Sequence, residues 1–170
     1  RACYDEGKRV AEALCIAYKE HSKVSVRIAR IFNTYGPFMD VNDGRVVSNF
    51  IVQALRGESL TVYGEGDHSR SFCYVDDLVD GLIKLMNSDF QSPINLGNPE
   101  EFTLLELADK VSEATGVEIN IMNASLPVDD PHRRCPDISL AHEILNWKPK
   151  ISLEEGLKPA VEWFRNCLNE

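Results

Sequence analysis

Short segments with apolar residues at alternate positions take turns along this chain with longer segments of helical period, and that alternation admits few folds. Val24 to Phe32 interleaves valines and isoleucines with Ser25, Arg27, Ala29 and Arg30, the pattern of a strand. Asn33-Thr34-Tyr35-Gly36-Pro37 then reads as a loop, and Asp43-Gly44 as a turn. Val46 to Arg56 has helical spacing and stops at Gly57, a residue suited to a helix C-terminus. Leu60 to Tyr63 predicts a strand, Gly64-Glu65-Gly66-Asp67 a turn, and Arg70 to Val75 a second strand. Asp76 or Asp77 is placed to cap a helix running to Met86. Pro93 to Leu96 and Glu118 to Met122 predict two more strands. Between them, Thr103 with Glu106 predicts a capping box on a helix ending at Gly116. Val128 to Pro136 reads as a polar loop, Ser139 as the cap of a short helix ending near Trp147, and Ser152 with Glu155 as a second capping box. The class is α/β.

At 170 residues the chain is long enough for one domain with its own core. Its formal net charge of −9 argues against nucleic acid as a partner, since phosphate backbones require a basic face. Cys3, Cys15, Cys73, Cys135 and Cys167 share no metal-ligand spacing, so reduced thiols and no metal site are expected. His21, His68, His132 and His142 form no pattern and read as surface residues. No apolar run reaches the length of a membrane span, and no signal-peptide pattern is present. The sequence opens on Arg1 directly against a helix, and is expected to be a piece of something longer.

The first helical segment, Tyr4 to Tyr18, carries Val10, Leu14, Ala17 and Tyr18 on one stripe. It also sets Tyr4 and Lys8 one turn apart, within reach of each other. A cation near a phenol favours the phenolate, so such a pair is suited to taking a proton from a hydroxyl and returning it. An ordinary exposed pair is the other reading of the same spacing.

Taken together, these residues resemble the C-terminal half of the extended short-chain dehydrogenase/reductases that act on nucleotide sugars. The resemblance covers nearly the whole chain. Tyr4-x-x-x-Lys8 resembles the family's catalytic motif. Arg30 to Pro37, Asn42 to Phe50, Asn95 to Glu101, and Asp129-Asp130-Pro131 through Asp137 resemble its UDP-glucuronate decarboxylase branch. Two positions depart from that pattern. Phe38 stands where an arginine is usual, and Cys73 where a polar residue is usual. The sequence contains no G-x-x-G-x-x-G, the turn that holds a dinucleotide pyrophosphate. The Ser/Thr partner of the tyrosine and the decarboxylases' glutamate would precede Arg1.

The resemblance implies residues 1–38 as the remainder of a dinucleotide-binding domain, and 39–170 as mainly substrate-binding, with segments returning to the Rossmann-type sheet. It implies NAD as cofactor and a UDP-sugar as substrate. Tyr4 would take the C4 hydroxyl proton while NAD accepts hydride, and the resulting β-keto acid would lose CO2 before C5 protonation and hydride return give UDP-xylose. Tyr4, Lys8, Thr34 and Arg45 are the expected cofactor-side contacts. Asn33, Tyr63, Arg70 and Arg134 are the expected substrate contacts, the arginines because a guanidinium fork matches a diphosphate or carboxylate. Each has an ordinary reading too: a solvated arginine, a turn asparagine, a strand aromatic in the core. Arg133 is expected to be a solvated neighbour. The helix of Tyr4 and Lys8 is the expected homodimer contact, and the compartment the cytoplasm, or the Golgi lumen if a preceding segment carries an anchor. A 4-epimerase or 4,6-dehydratase remains an alternative, as does an inactive dimerising or substrate-binding fragment.

Overall fold

The structure, a computed structural model, describes residues 2–125 and 133–169. Helix α1 (Ala2–Ser22) is followed by strands β1 (Ala29–Ile31) and β2 (Thr34–Tyr35), helix α2 (Val46–Leu55) and strand β3 (Leu60–Tyr63). Strands β4 (Ser69–Ser71) and β5 (Cys73–Tyr74) lead into helix α3 (Val75–Met86), then β6 (Ile94–Leu96) and β7 (Glu101–Thr103). Helix α4 (Leu104–Thr115), β8 (Ile121–Ala124), β9 (Arg133–Arg134), α5 (Ser139–Leu145) and α6 (Leu153–Asn169) complete the chain.

Two apolar cores organise these elements. The first gathers Leu78 and Leu85 of α3, Ile94 and Leu96 of β6, and Ala141 and Leu145 of α5 around Trp147. It covers the parallel pair β1–β6. The second is larger and packs α2, α4 and α6 together with β3, through Phe50, Ile51, Leu60, Leu107, Leu157 and Phe164, each at most 1% exposed. Burying one such side chain contributes about 1.5–3 kcal/mol. Here β3 pairs in parallel with β8, and β4 lies between antiparallel β7 and parallel β9.

Local chemistry explains the boundaries. Thr103 and Glu106 form the full capping box of α4, and Gly116, at φ 71°, closes its other end. Ser152 and Glu155 exchange the same two bonds at the start of α6, 3.0 and 3.3 Å. Gly156 has no room for a side chain, since a Cβ there would overlap the Tyr35 hydroxyl.

Several segments differ from their sequence reading. The strand expected over 24–32 shrinks to β1, because its only paired neighbour among the described residues is the short β6, from Ile28 to Phe32. Thr34 and Tyr35 leave the expected loop to pair with β5. The strand expected over 70–75 breaks at Phe72, where the chain passes from the sheet of β7 and β9 to that of β2. The strand expected over 118–122 starts only at Ile121, in register with Leu60. Arg133 and Arg134 form a strand and not a loop, while Val128 to His132 lie outside the described residues.

Asp76 and Asp77 do not cap α3; Tyr74 holds the N-cap position. Asp77 is buried, and its carboxylate accepts the backbone N–H groups of Lys150 and Ile151 at 2.8 and 2.9 Å. The indole of Trp147 donates to its carbonyl at 2.9 Å. One aspartate thereby fastens the chain between α5 and α6 to the start of α3. At α5 the side-chain oxygen that accepts from the Ser139 backbone belongs to Asp137, not Ser139.

Candidate active site

A cavity of about 530 Å³ opens between α2, β3 and β4. Six of the eight expected site residues line it: Asn33, Thr34, Arg45, Tyr63, Arg70 and Arg134. They arrive from five places in the fold. Asn33 and Thr34 stand where the chain leaves β1 and starts β2, and the Thr34 hydroxyl donates to the Phe32 carbonyl at 2.9 Å. Arg45 is the N-cap residue of α2, is exposed, and reaches Asp43 at 3.4 Å. Tyr63 closes β3 with 45% of its surface exposed.

Arg70 and Arg134 meet by strand register. They are direct partners across the parallel pair β4–β9, and both face the cavity. Arg70 is 8% exposed, and one of its guanidinium nitrogens donates to the Ser69 carbonyl at 2.7 Å. Like charges set opposite one another on a sheet repel, and an anion held between them relieves that repulsion. The alternate side chains turn away. The Ser69 hydroxyl donates to Glu101 at 2.7 Å, and the Ser71 hydroxyl to the Arg134 carbonyl at 3.4 Å.

Arg133 is not simply solvated. Its guanidinium grips both carboxylate oxygens of Glu101, tying β9 to β7. That pairing, with the Ser69 hydroxyl, holds the Glu101 carboxyl at about 2, well below its usual value. The Cys135 thiol beside this pair is pushed up, first by burial and then by the Glu101 charge.

Tyr4 and Lys8 stand apart from the cavity wall. They lie on α1, where the Lys8 ammonium sits 5.5 Å from the centre of the Tyr4 ring. Glu12 continues the same row and clamps Arg30 of β1 with two bonds of 2.7 Å. The bond lowers the Glu12 pKa and raises that of Arg30. On the adjacent stripe Val10, Leu14 and Tyr18 are each more than half exposed.

His68 contradicts its surface reading: it is 5% exposed and lines the cavity beside Arg70. Asn49, Gln53 and Thr61 also line it. Gln53 spans α2 and β3, donating to the Thr61 hydroxyl at 3.0 Å and accepting from its backbone N–H at 3.1 Å. Helical spacing could have shown that Asn49 and Gln53 share a face with Arg45. Nothing in the sequence pattern marked His68.

The fold is that of the extended short-chain dehydrogenase/reductases. A sequence profile of the GDP-mannose 4,6 dehydratase family matches residues 1–160, and the chain belongs to that family. UDP-glucuronic acid decarboxylase 3 of Arabidopsis thaliana is 57% identical over 169 residues, covering 99% of this chain and 49% of the relative. UDP-glucuronic acid decarboxylase 1 of Xenopus tropicalis is 56% identical over 168 residues, covering 99% and 40%. The chain thus spans about half the length, or less, of these curated relatives. Among solved structures, UDP-glucose 4-epimerase of Thermotoga maritima with UDP-glucose superposes with a TM-score of 0.90 at 31% identity, over 95% of this chain and 52% of that one. UDP-glucuronic acid 4-epimerase of Bacillus cereus, in complex with UDP-glucuronic acid and NAD, gives 0.85 at 25% identity, over 92% and 50%.

Proposed function

We propose that this chain forms the substrate-binding side and the proton-carrying pair of an NAD-dependent UDP-glucuronate decarboxylase. The observation that carries the reading is the register of β4 against β9, which brings Arg70 and Arg134 together on one cavity wall. A guanidinium pair there suits the diphosphate of a nucleotide sugar. Similarity to UDP-glucuronic acid decarboxylases at 56–57% identity supports the choice of substrate.

The residues present fit one end of NAD. A phenol and an ammonium adjacent on an accessible helix face suit the nicotinamide ribose, whereas the sequence has no Gly-rich pyrophosphate turn. When bound, NAD supplies the hydride acceptor and donor. Tyr4 accepts the proton of the sugar C4 hydroxyl and later returns one, with the Lys8 ammonium beside its ring. Arg70 and Arg134 fix the substrate against the cavity wall, and Asn33 and Tyr63 orient the sugar and the base. The resulting C4 ketone lies β to the carboxylate, so carbon dioxide leaves with its bonding electrons drawn towards the carbonyl. By itself the chain is expected to be inactive and to bind no NAD measurably; saturable NAD binding in a direct titration would contradict this.

The similarity to solved 4-epimerases supports a second reading, in which the ketone is returned to an alcohol without carbon loss. Supplying UDP-glucuronate labelled at C6 to the protein that carries this chain separates the two. Labelled carbon dioxide released in step with UDP-pentose supports decarboxylation, and a C4 epimer with label retained supports the second reading. The exposed stripe of Val10, Leu14 and Tyr18 further supports a homodimer joined through α1. Sedimentation should show Leu14→Glu shifted from dimer to monomer; a monomeric parent would remove that proposal.

A further inference from the structure

The two faces of the small sheet β7–β4–β9 carry different chemistry. Arg70 and Arg134, direct partners across β4 and β9, face the cavity. Residues one place along turn the other way, and there Ser69 stands beside Arg133. Glu101 reaches both from β7. Its carboxylate accepts from the Ser69 hydroxyl at 2.7 Å and from Arg133 Nε at 2.9 Å, so one side chain spans all three strands. The backbone of Glu101 is itself held, since it pairs with Ser71 in the antiparallel ladder. Strand β9 is less secure: it is two residues long, and its ladder with β4 has only the pairs Ser69–Arg133 and Arg70–Arg134. Beyond it the Cys135 thiol adds a weak bond to the Pro99 carbonyl at 3.3 Å. So short a ladder specifies register weakly, and a slip of one residue would turn Arg134 to the far face of the sheet. The two-point grip on Arg133 sets the register from behind, and with it the side chain that stands in front.

We propose that Glu101 is a positioning residue for substrate binding, acting through Arg133 to hold Arg134 on the cavity wall. This role rests on the proposed contact between Arg134 and the nucleotide sugar. It makes that contact depend on an ion pair formed on the opposite face of the sheet.

The test is carried out on the protein that carries this chain, as kcat/KM for carbon dioxide release from UDP-glucuronate, below the onset of unfolding. Glu101→Gln keeps an oxygen for Ser69 but gives up the charge and the two-point grip on Arg133. Arg133→Gln, at a side chain 71% exposed, leaves Glu101 and Ser69 in place. Each should lower kcat/KM by about three- to fivefold, the scale of a partly exposed ion pair. A plain charge effect on an anionic substrate would act with opposite signs, Arg133→Gln lowering kcat/KM and Glu101→Gln raising it. Arg134→Ala should lower it by about tenfold or more. In the Arg134→Ala background, neither Glu101→Gln nor Arg133→Gln should change it by more than about 1.5-fold, because the residue they position is gone. Losses that persist in full in that background, or a Glu101→Gln protein as fast as the parent or faster, overturn the proposal and leave the nucleotide-sugar reading standing. An Arg134→Ala protein as fast as the parent, or a parent without turnover, overturns the reading of Arg134 and the proposal together. Should Glu101→Gln fail to fold, Arg133→Gln decides alone: a loss that vanishes without Arg134 supports the role, and any other result overturns it.

Discussion

The helix bearing Tyr4 and Lys8 and the cavity bearing Arg70 and Arg134 are built on opposite terms. Helix α1 exposes Tyr4, Val10, Leu14 and Tyr18, and a pair of bonds between Glu12 and Arg30 joins it to β1. The cavity wall is made of strands locked by register, with buried Arg70 and His68 backed by a packed three-helix core. A surface-facing bidentate pair contributes at most about 1 kcal/mol, far less than the burial behind the cavity. The residues proposed for recognition are thus held by a packed core, whereas the proposed proton-carrying pair sits on an exposed helix face.

Changes on either side should differ in kind, and the largest effect belongs to the helix. Tyr4→Phe should leave the unfolding transition in place and lower decarboxylation by about 10²–10⁴-fold, the range of a lost proton carrier. Steady-state turnover near the parent rate would show that Tyr4 is not the base. Asp77→Ala should do the reverse, leaving two backbone N–H groups without their acceptor and destabilising the fold by about 3 kcal/mol in urea titrations. Substrate affinity in the folded fraction should hold.

Much of this contrast was legible in the residues. Two capping boxes, the Gly57 and Gly116 stops, and β3 and β6 follow from local chemistry alone, and six expected contacts share one cavity. What escaped depended on partners distant in sequence. The break at Phe72 exists because two sheets meet there, and the strand at Arg134 because Arg70 lies beside it. Asp77 looked like a cap because a segment some seventy residues later supplies the N–H groups it accepts. Phe38, one of the two departures from the family pattern, sits at φ 69° with its ring 4.6 Å from that of Trp163, a contact no local pattern announces.

Smaller effects sharpen the comparison within the cavity wall. Arg134→Lys keeps the charge but loses the fork, and should reduce turnover of UDP-glucuronate by roughly tenfold or more. UDP affinity falling in parallel would assign Arg134 to the phosphates; UDP affinity retained while decarboxylation slows would assign it to the sugar carboxylate. Unchanged kinetics and unchanged UDP binding would make Arg134 a surface residue. The smallest effect concerns Glu101. Its carboxyl is depressed in the folded state from 4.5 to about 2, so its contribution is complete above the unfolded value and is lost as pH falls towards 2. Glu101→Gln should therefore unfold at slightly lower urea than the parent at pH 6, with the gap narrowing on acidification below about pH 4.5. A gap that widened towards low pH would contradict this assignment.

In the proposed function, the register-paired arginines hold one anionic substrate in this cavity. A crystal structure of the protein that carries this chain, solved with UDP-glucuronate bound, tests it most directly. The nucleotide sugar is expected to lie along β4, with the Arg70 guanidinium on the diphosphate and the Arg134 guanidinium on the diphosphate or the sugar carboxylate. A nucleotide sugar bound away from that wall, touching neither guanidinium group, would contradict it.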